Sequence, residues 1–266
     1  IRVCHTGDPA ELDWAALDVD LVLECSGQIR SREDAELHLS RGANKVLISN
    51  PADSAVDNTI IYGHNHDSLA ADQRIVSNGS CSTNALIPVL TLIDQAYGIE
   101  AGVTTTIHSA MNDQPVIDAY HSDLRRTRSS VQSIIPVDTG LPAGIERLMP
   151  QLAGKIESLH VRVPTINVSA LDITLQLNKA TDTDAVNQLL ATGAGQAFDG
   201  ILGLTREAHA SIDFNHDPRS AIVDATQTRV SGGRLLKLLV WFDNEWGFAN
   251  RMLDTASEMV DVSGRQ

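Results

Sequence analysis

The chain has 266 residues, 42% of them hydrophobic but only 4% aromatic, so one large or two modest cores must be built mainly from Val, Ile, Leu and Ala. A net charge of −14 argues against non-specific binding to nucleic acid or anionic membranes, and any anionic substrate needs a local cationic pocket. Cys4, Cys25 and Cys81 have no metal-ligand spacing and suggest no disulfide framework, which fits a reducing, cytoplasmic setting, and no apolar run reaches the length of a membrane span.

The chain opens strand-like at Ile1-Arg2-Val3, without a Met. Residues 18–24 read as a buried strand ending at Ser26-Gly27. Ser31-Arg32-Glu33-Asp34 then caps a helix that runs to Ser40 and is closed by Gly42. Further strands are expected at 45–49, 58–63 and 73–77. Strands alternating with helices predict an α/β, doubly wound, mostly parallel sheet, with ligands at the carboxyl ends of its strands. Gly27 and Ser49 mark two such ends.

A helical pattern follows Ser80-Cys81-Ser82, and then the character changes. β-rich stretches at 103–108, 159–163, 168–178, 211–214, 220–224, 227–230 and 237–242, with one helix at 185–197 between them, predict an α+β domain with a mixed or antiparallel sheet. An amphipathic helix at 251–260 ends the pattern. The expected division is 1–79, 80–246 and a C-terminal helix in 247–266.

Cys81 lies where a β-rich run meets a helix, with Ser80 as the candidate N-cap. The unpaired amides and dipole of a helix start favour an anion, so a lowered thiol pKa is expected. A small buried cysteine beside a cap is the competing reading. His108 ends the β-branched run Thr104-Thr105-Thr106-Ile107. A Cys on one element and a His on another is the layout of a thiol nucleophile and its base, although a structural His satisfies the same pattern.

Ser77-Asn78-Gly79-Ser80-Cys81-Ser82-Thr83-Asn84 resembles the active-site signature of the glyceraldehyde-3-phosphate dehydrogenase family. Arg162-Val163-Pro164-Thr165 and the stretch from Trp241-Phe242-Asp243-Asn244 to Arg251 resemble two further signatures, and the likeness extends over essentially the whole chain. Within the family, Ile107–Gln114, 134–139 and 213–218 look most like the erythrose-4-phosphate dehydrogenase branch, as does Trp246. The resemblance implies a partial Rossmann-type NAD-binding domain, a catalytic domain, and a C-terminal helix packed back on the former. It also implies that an upstream segment carrying the Gly-rich dinucleotide loop is missing; no Gly-x-Gly-x-x-Gly occurs here.

By the same resemblance, Cys81 is the nucleophile and His108 the base. Ser80, Ser82, Arg126, Thr139, Gly140 and Arg162 bind the substrate and its phosphate. Ser26, Gly27, Ser49 and Asn244 lie near NAD, and no metal is involved; Ser26 and Ser49 also read as simple strand-end hydroxyls. The implied activity is NAD-dependent oxidation of a phosphorylated aldose, erythrose 4-phosphate, in pyridoxal 5′-phosphate biosynthesis by a cytoplasmic homotetramer. Phosphorylating glyceraldehyde-3-phosphate dehydrogenase is the alternative within the family, and an inactive fragment the alternative outside catalysis. Three positions depart from the family pattern: Thr6 replaces an Arg near the cofactor, Ala85 a second Cys, and Met111 a Thr that donates to phosphate.

Overall fold

The computed structural model describes residues 1–264. The chain forms two compact units: Ile1–Ser80 with the chain from Asn250 onward, and Cys81–Ala249.

In the first unit, β1 (Leu21–Glu24), α1 (Arg32–Ser40), β2 (Lys45–Ile48), β3 (Asn58–Thr59) and β4 (Ile75–Ser77) follow one another. The strands form a parallel sheet in the order β1-β2-β4-β3. Ser31 caps α1, its hydroxyl accepting from the Asp34 amide at 3.0 Å, and Glu33 and Asp34 complement the dipole of the first turn. Every residue of β2 is buried, as expected for a strand covered on both faces. Ile29, Ala35, Val46, Ile48, Val56 and Ile75 make a core around it. The expected strand at 58–63 is only two residues long. The Asn65 side chain accepts from the Ile61 amide at 2.8 Å, turning the chain away from the sheet edge.

The second unit begins with α2 (Cys81–Tyr97) and β5 (Ile99–His108), then β6 (Ile135–Val137), α3 (Leu141–Leu148), β7 (Ile156–Arg162) and β8 (Ser169–Leu177). α4 (Thr183–Ala194), β9 (Leu202–Thr205), β10 (Ala221–Asp224), β11 (Arg229–Ser231) and β12 (Leu235–Phe242) follow, and α5 (Trp246–Gly264) runs on into the residues grouped with the first unit. One mixed sheet of eight strands is ordered β6-β7-β5-β8-β12-β10-β9, with β11 paired to β12. β5 runs parallel to β7 and antiparallel to β8. The expected strand at 211–214 is instead a short 3₁₀ turn, closed locally by Asp213, whose carboxylate accepts from the Ala210 amide at 2.8 Å. α3 is not among the elements expected from the sequence. Pro142 lies in the first turn, where its missing N–H is no loss, and Gly144 lets α3 approach α2. A Cβ at Gly144 would meet the Thr83 side chain at 3.0 Å.

The C-terminal part of α5 is tied into the first unit. The Lys45 ammonium donates to the Met259 carbonyl at 2.9 Å, and the Thr255 hydroxyl to Asn78 Oδ1 at 2.8 Å. Among the described residues, no helix is long and apolar enough to cross a membrane.

Candidate active site

The turn that leads into α2 is built from short polar residues. Ser77 donates to the Asn50 carbonyl at 2.7 Å and accepts from the Gly79 amide at 3.1 Å. Gly79 holds φ +65°, which a side chain would strain. Cys81 is therefore the first residue of α2 and is half-buried.

Strand alternation supplies the facing groups. Thr104, Thr106 and His108 point to the same buried face of β5, and Ser158, His160 and Arg162 share one face of β7. The parallel register sets Thr106 beside His160 and His108 beside Arg162. His108 is 2% exposed, and its Nε2 lies 3.6 Å from Cys81 Sγ. Its Nδ1 lies 2.8 Å from the Ser109 carbonyl, an acceptor only, so Nδ1 carries the proton and Nε2 presents a lone pair to the thiol. His160 stacks on His108 at 5.1 Å, and buried Phe242 meets the ring edge-on at 6.3 Å.

The electrostatics differ from the sequence expectation. Burial pushes the Cys81 thiol up, to about 11, against the opposing pull of Ser82, the local amides and Arg162. Burial lowers the His108 pKa, and Arg162 adds to that effect. The resting pair is thus a thiol and a neutral imidazole, and the nucleophile arises by proton transfer to Nε2. The helix start alone does not offset the desolvation.

Arg162 is 7% exposed, and its Nη1 pairs with Asp113 Oδ1. Arg126 Nη1 reaches the other oxygen of the same carboxylate at 3.1 Å, and its Nε lies 3.4 Å from Asp123. Burial works against the Asp113 charge, but the Arg162 hydrogen bond and the two guanidinium charges hold its carboxyl below the usual range. Arg126 and Arg162 are thus brought together, bridged by a carboxylate that sequence reasoning missed. The partners lie 13 and 49 residues away, and no local pattern joins them.

Ser82 is buried, and its hydroxyl and amide hydrogen-bond the Cys81 thiol; Ser80 is half-buried just before α2. Thr139 accepts from the Leu141 amide at 3.2 Å and Gly140 is the N-cap of α3, whose close packing at Gly144 and Thr83 sets its first turn near that of α2. Two helix starts at neighbouring positions favour a bound anion through their dipoles.

Asn244 Oδ1 accepts from Ser109 at 2.9 Å and from Ser169 at 2.8 Å, while the Ser169 oxygen accepts from the Ser109 amide at 3.1 Å. The oxygen of Asn244 is therefore fixed, and its NH₂ remains as the donor group, which fits the carboxamide oxygen of a nicotinamide. Ser109 and Ser169 were not singled out from the sequence; serines adjoining two strand ends were the only signal. In the first unit, Gly27 follows β1 and Ser49 follows β2, where the Ser49 hydroxyl hydrogen-bonds the Cys25 thiol. Ser26 is committed locally: its amide and hydroxyl both donate to Glu24 Oε1, so its side chain is a strand-end turn group. Thr6 hydrogen-bonds Glu11 at 2.5 Å.

A thiol facing the bare nitrogen of a tautomer-fixed imidazole, beside guanidinium groups, is the equipment of an enzyme that attacks a carbonyl through sulfur. The chain belongs to the glyceraldehyde 3-phosphate dehydrogenase family. The family model described as glyceraldehyde 3-phosphate dehydrogenase, C-terminal domain, matches residues 80–244.

Proposed function

We propose that the protein oxidises D-erythrose 4-phosphate to 4-phosphoerythronate with NAD, through a thioester on Cys81. The observation that carries this reading is the Cys81 Sγ to His108 Nε2 approach of 3.6 Å, with the tautomer set by the Ser109 carbonyl. His108 takes the thiol proton, and sulfur adds to the aldehyde carbon to give a thiohemiacetal. The amides of Cys81 and Ser82 at the start of α2 stabilise the developing oxyanion. His108 then holds the hydroxyl proton of that adduct as the carbon is oxidised. NAD, when bound, supplies the hydride acceptor, and Asn244 would hold its carboxamide; Gly27 and Ser49 keep their assignment to the dinucleotide from the family resemblance. The proton on His108 passes to solvent, and in the last step the neutral His108 activates water against the thioester.

The substrate phosphate is assigned to Thr139, Gly140, Ser80 and Ser82, with Arg162 and Arg126 supplying the cationic surroundings. Met111, 43% exposed on the loop after β5, offers no hydroxyl to a phosphate and supports the erythrose branch. That branch carries the further assignment to pyridoxal 5′-phosphate biosynthesis in the cytoplasm. Val116, Ile117, Tyr120 and Leu124 are exposed apolar residues on the same loop region and support assembly with further copies, as a homotetramer.

The test is NADH formation from erythrose 4-phosphate and from glyceraldehyde 3-phosphate, each with and without inorganic phosphate. Phosphate-independent oxidation of the four-carbon aldehyde is expected. Strict phosphate dependence with preference for the three-carbon aldehyde assigns the protein to the phosphorylating branch.

A further inference from the structure

His160 has no part in the chemistry described so far. It is one of nine histidines, and on β7 it faces Thr106 directly and His108 on the diagonal of the parallel strand pair. The two rings lie 5.1 Å apart, centroid to centroid, with their planes 22° from parallel. The contact is made by ring faces. His108 uses Nδ1 on the Ser109 carbonyl and turns Nε2 to the Cys81 thiol, while His160 Nε2 is buried with no hydrogen-bond partner. A single hydrogen bond at Nδ1 leaves an imidazole free to tilt about it, and a flat group laid over the ring removes that freedom.

We propose that His160 is a positioning residue: its ring face holds the His108 imidazole on Cys81 and stabilises the imidazolium formed when Nε2 takes the thiol proton. An aliphatic side chain fills the same space but offers a cation no π face.

The stack serves this purpose only while His160 is uncharged, because a second cation at this distance opposes protonation of His108. The groups that act on the two rings are Cys81 from α2, Arg162 from β7, and Asp113 and Arg126 from the chain between β5 and β6. Burial lowers the His160 pKa to about 3, and His108, Arg162 and Arg126 push it the same way against Asp113. The charge on His108 is among the causes of that lowering, so His108 takes its proton first and His160 remains the neutral face beneath it.

The proposal rests on the reading of His108 as the base for Cys81, but its first measurement needs neither turnover nor the thiol. The titration midpoint of His108 is followed by NMR of its ring Cε1–H in Cys81→Ser protein, with His108→Asn assigning the signal. His160→Leu and His160→Phe are compared with the unsubstituted ring. Removing the face removes a stabiliser of the charged form, so the midpoint should fall in His160→Leu by ~0.7 unit, a fivefold change within the cation–π range. His160→Phe should hold it. Leu and Phe both exclude water, so the difference between them reports the face. With Cys81 present, iodoacetamide alkylation near neutral pH should be about fivefold slower in His160→Leu and close to wild type in His160→Phe. His160→Ala is a second variant without a face should the Leu variant not fold. An unmoved midpoint in a folded Leu or Ala variant overturns the proposal. So does a Phe variant that falls as far as Leu, which would give the role to the ring nitrogens of His160. Alkylation that is unchanged in His108→Asn would count against the reading of His108 as the base, and the NMR midpoints would still decide whether His160 acts on it.

Discussion

Each unit of this protein buries a histidine among polar partners, and the two clusters are finished differently. In the first unit, Trp14 donates its indole N–H to His38 Nδ1 at 3.1 Å. His38 Nε2 therefore carries the proton and donates to Glu24 at 3.1 Å. Glu24 accepts from the amide and hydroxyl of Ser26 through its other oxygen. Glu24 and His38 are 6% and 3% exposed, and every strong donor and acceptor in the chain of contacts is used. In the second unit, His108 turns a lone pair toward a thiol, while Arg162 Nε, His160 Nε2 and both amide atoms of Gln114 are buried without partners. A closed network holds a fold together; an open one keeps groups available for a reacting molecule. Burial of a histidine says little by itself, and the completeness of its hydrogen bonding separates the two roles.

The largest effects should come from the open cluster. Cys81→Ser is nearly isosteric and should abolish aldehyde oxidation while leaving the melting profile intact. His108→Asn should slow the chemical step by about 10²–10⁴-fold, the range for loss of a general base. Both are read as single-turnover hydride transfer, and an undiminished rate in His108→Asn would make that histidine structural.

The resting charge state gives the next test. With the thiol pushed up to about 11, alkylation of Cys81 by iodoacetamide should keep accelerating far above neutral pH. Peptide mapping of label against pH reads this directly. A midpoint near or below neutrality would mean a thiolate–imidazolium pair at rest, and would restore the expectation drawn from the helix start.

The closed cluster should respond in stability. His38→Leu leaves the Glu24 carboxylate buried with its ring partner gone and should cost about 2–4 kcal/mol in denaturant unfolding. The alkylation kinetics of Cys81 should be unaltered, and a changed rate there would erase the contrast between the clusters.

An effect confined to acid pH concerns His160, whose pKa burial lowers to about 3, with His108 and the two arginines adding to it. The unfolded chain takes up this proton near pH 6.5 and the folded chain only near 3. Stability from this group is therefore complete above pH 6.5 and is lost as pH falls toward 3. The slope is at most about 1.4 kcal/mol per pH unit. His160→Gln should flatten the acid limb of an unfolding-versus-pH curve, and an unaltered limb would show that the ring is solvated.

These clusters differ in how readable they were. Cys81 and His108 were legible because each ends or begins an element: small polar residues mark the start of α2, and a β-branched run marks β5. Ser31 announced α1 through a cap that the structure contains. The Asp113 bridge and the Ser109–Ser169–Asn244 orientation of the amide were not legible. They depend on strand pairing between residues far apart in the chain, and no local periodicity encodes that. α3 was hidden because Pro142 and Gly144 carry the same letters whether they break a helix or start one and pack it closely. The turn at 211–214 shows the reverse error, where apolar residues suggested a strand and a single Asp cap decided against it.

The parallel pairing of β5 with β7 has a consequence for how the site comes into being. The connection between these strands contains β6 and α3, so their pairing is a late, long-range event by the logic of loop closure. His108 and Arg162 arrive opposite one another in a single step of that zippering. A slip of β7 by one residue would turn Arg162 to the face that carries Leu159, which is 51% exposed, while β8 keeps His108 in place. Arg162 therefore joins the thiol and its base only when this seam closes: a chain whose β5 is held by β8 alone has its nucleophile and its base but lacks the guanidinium beside them.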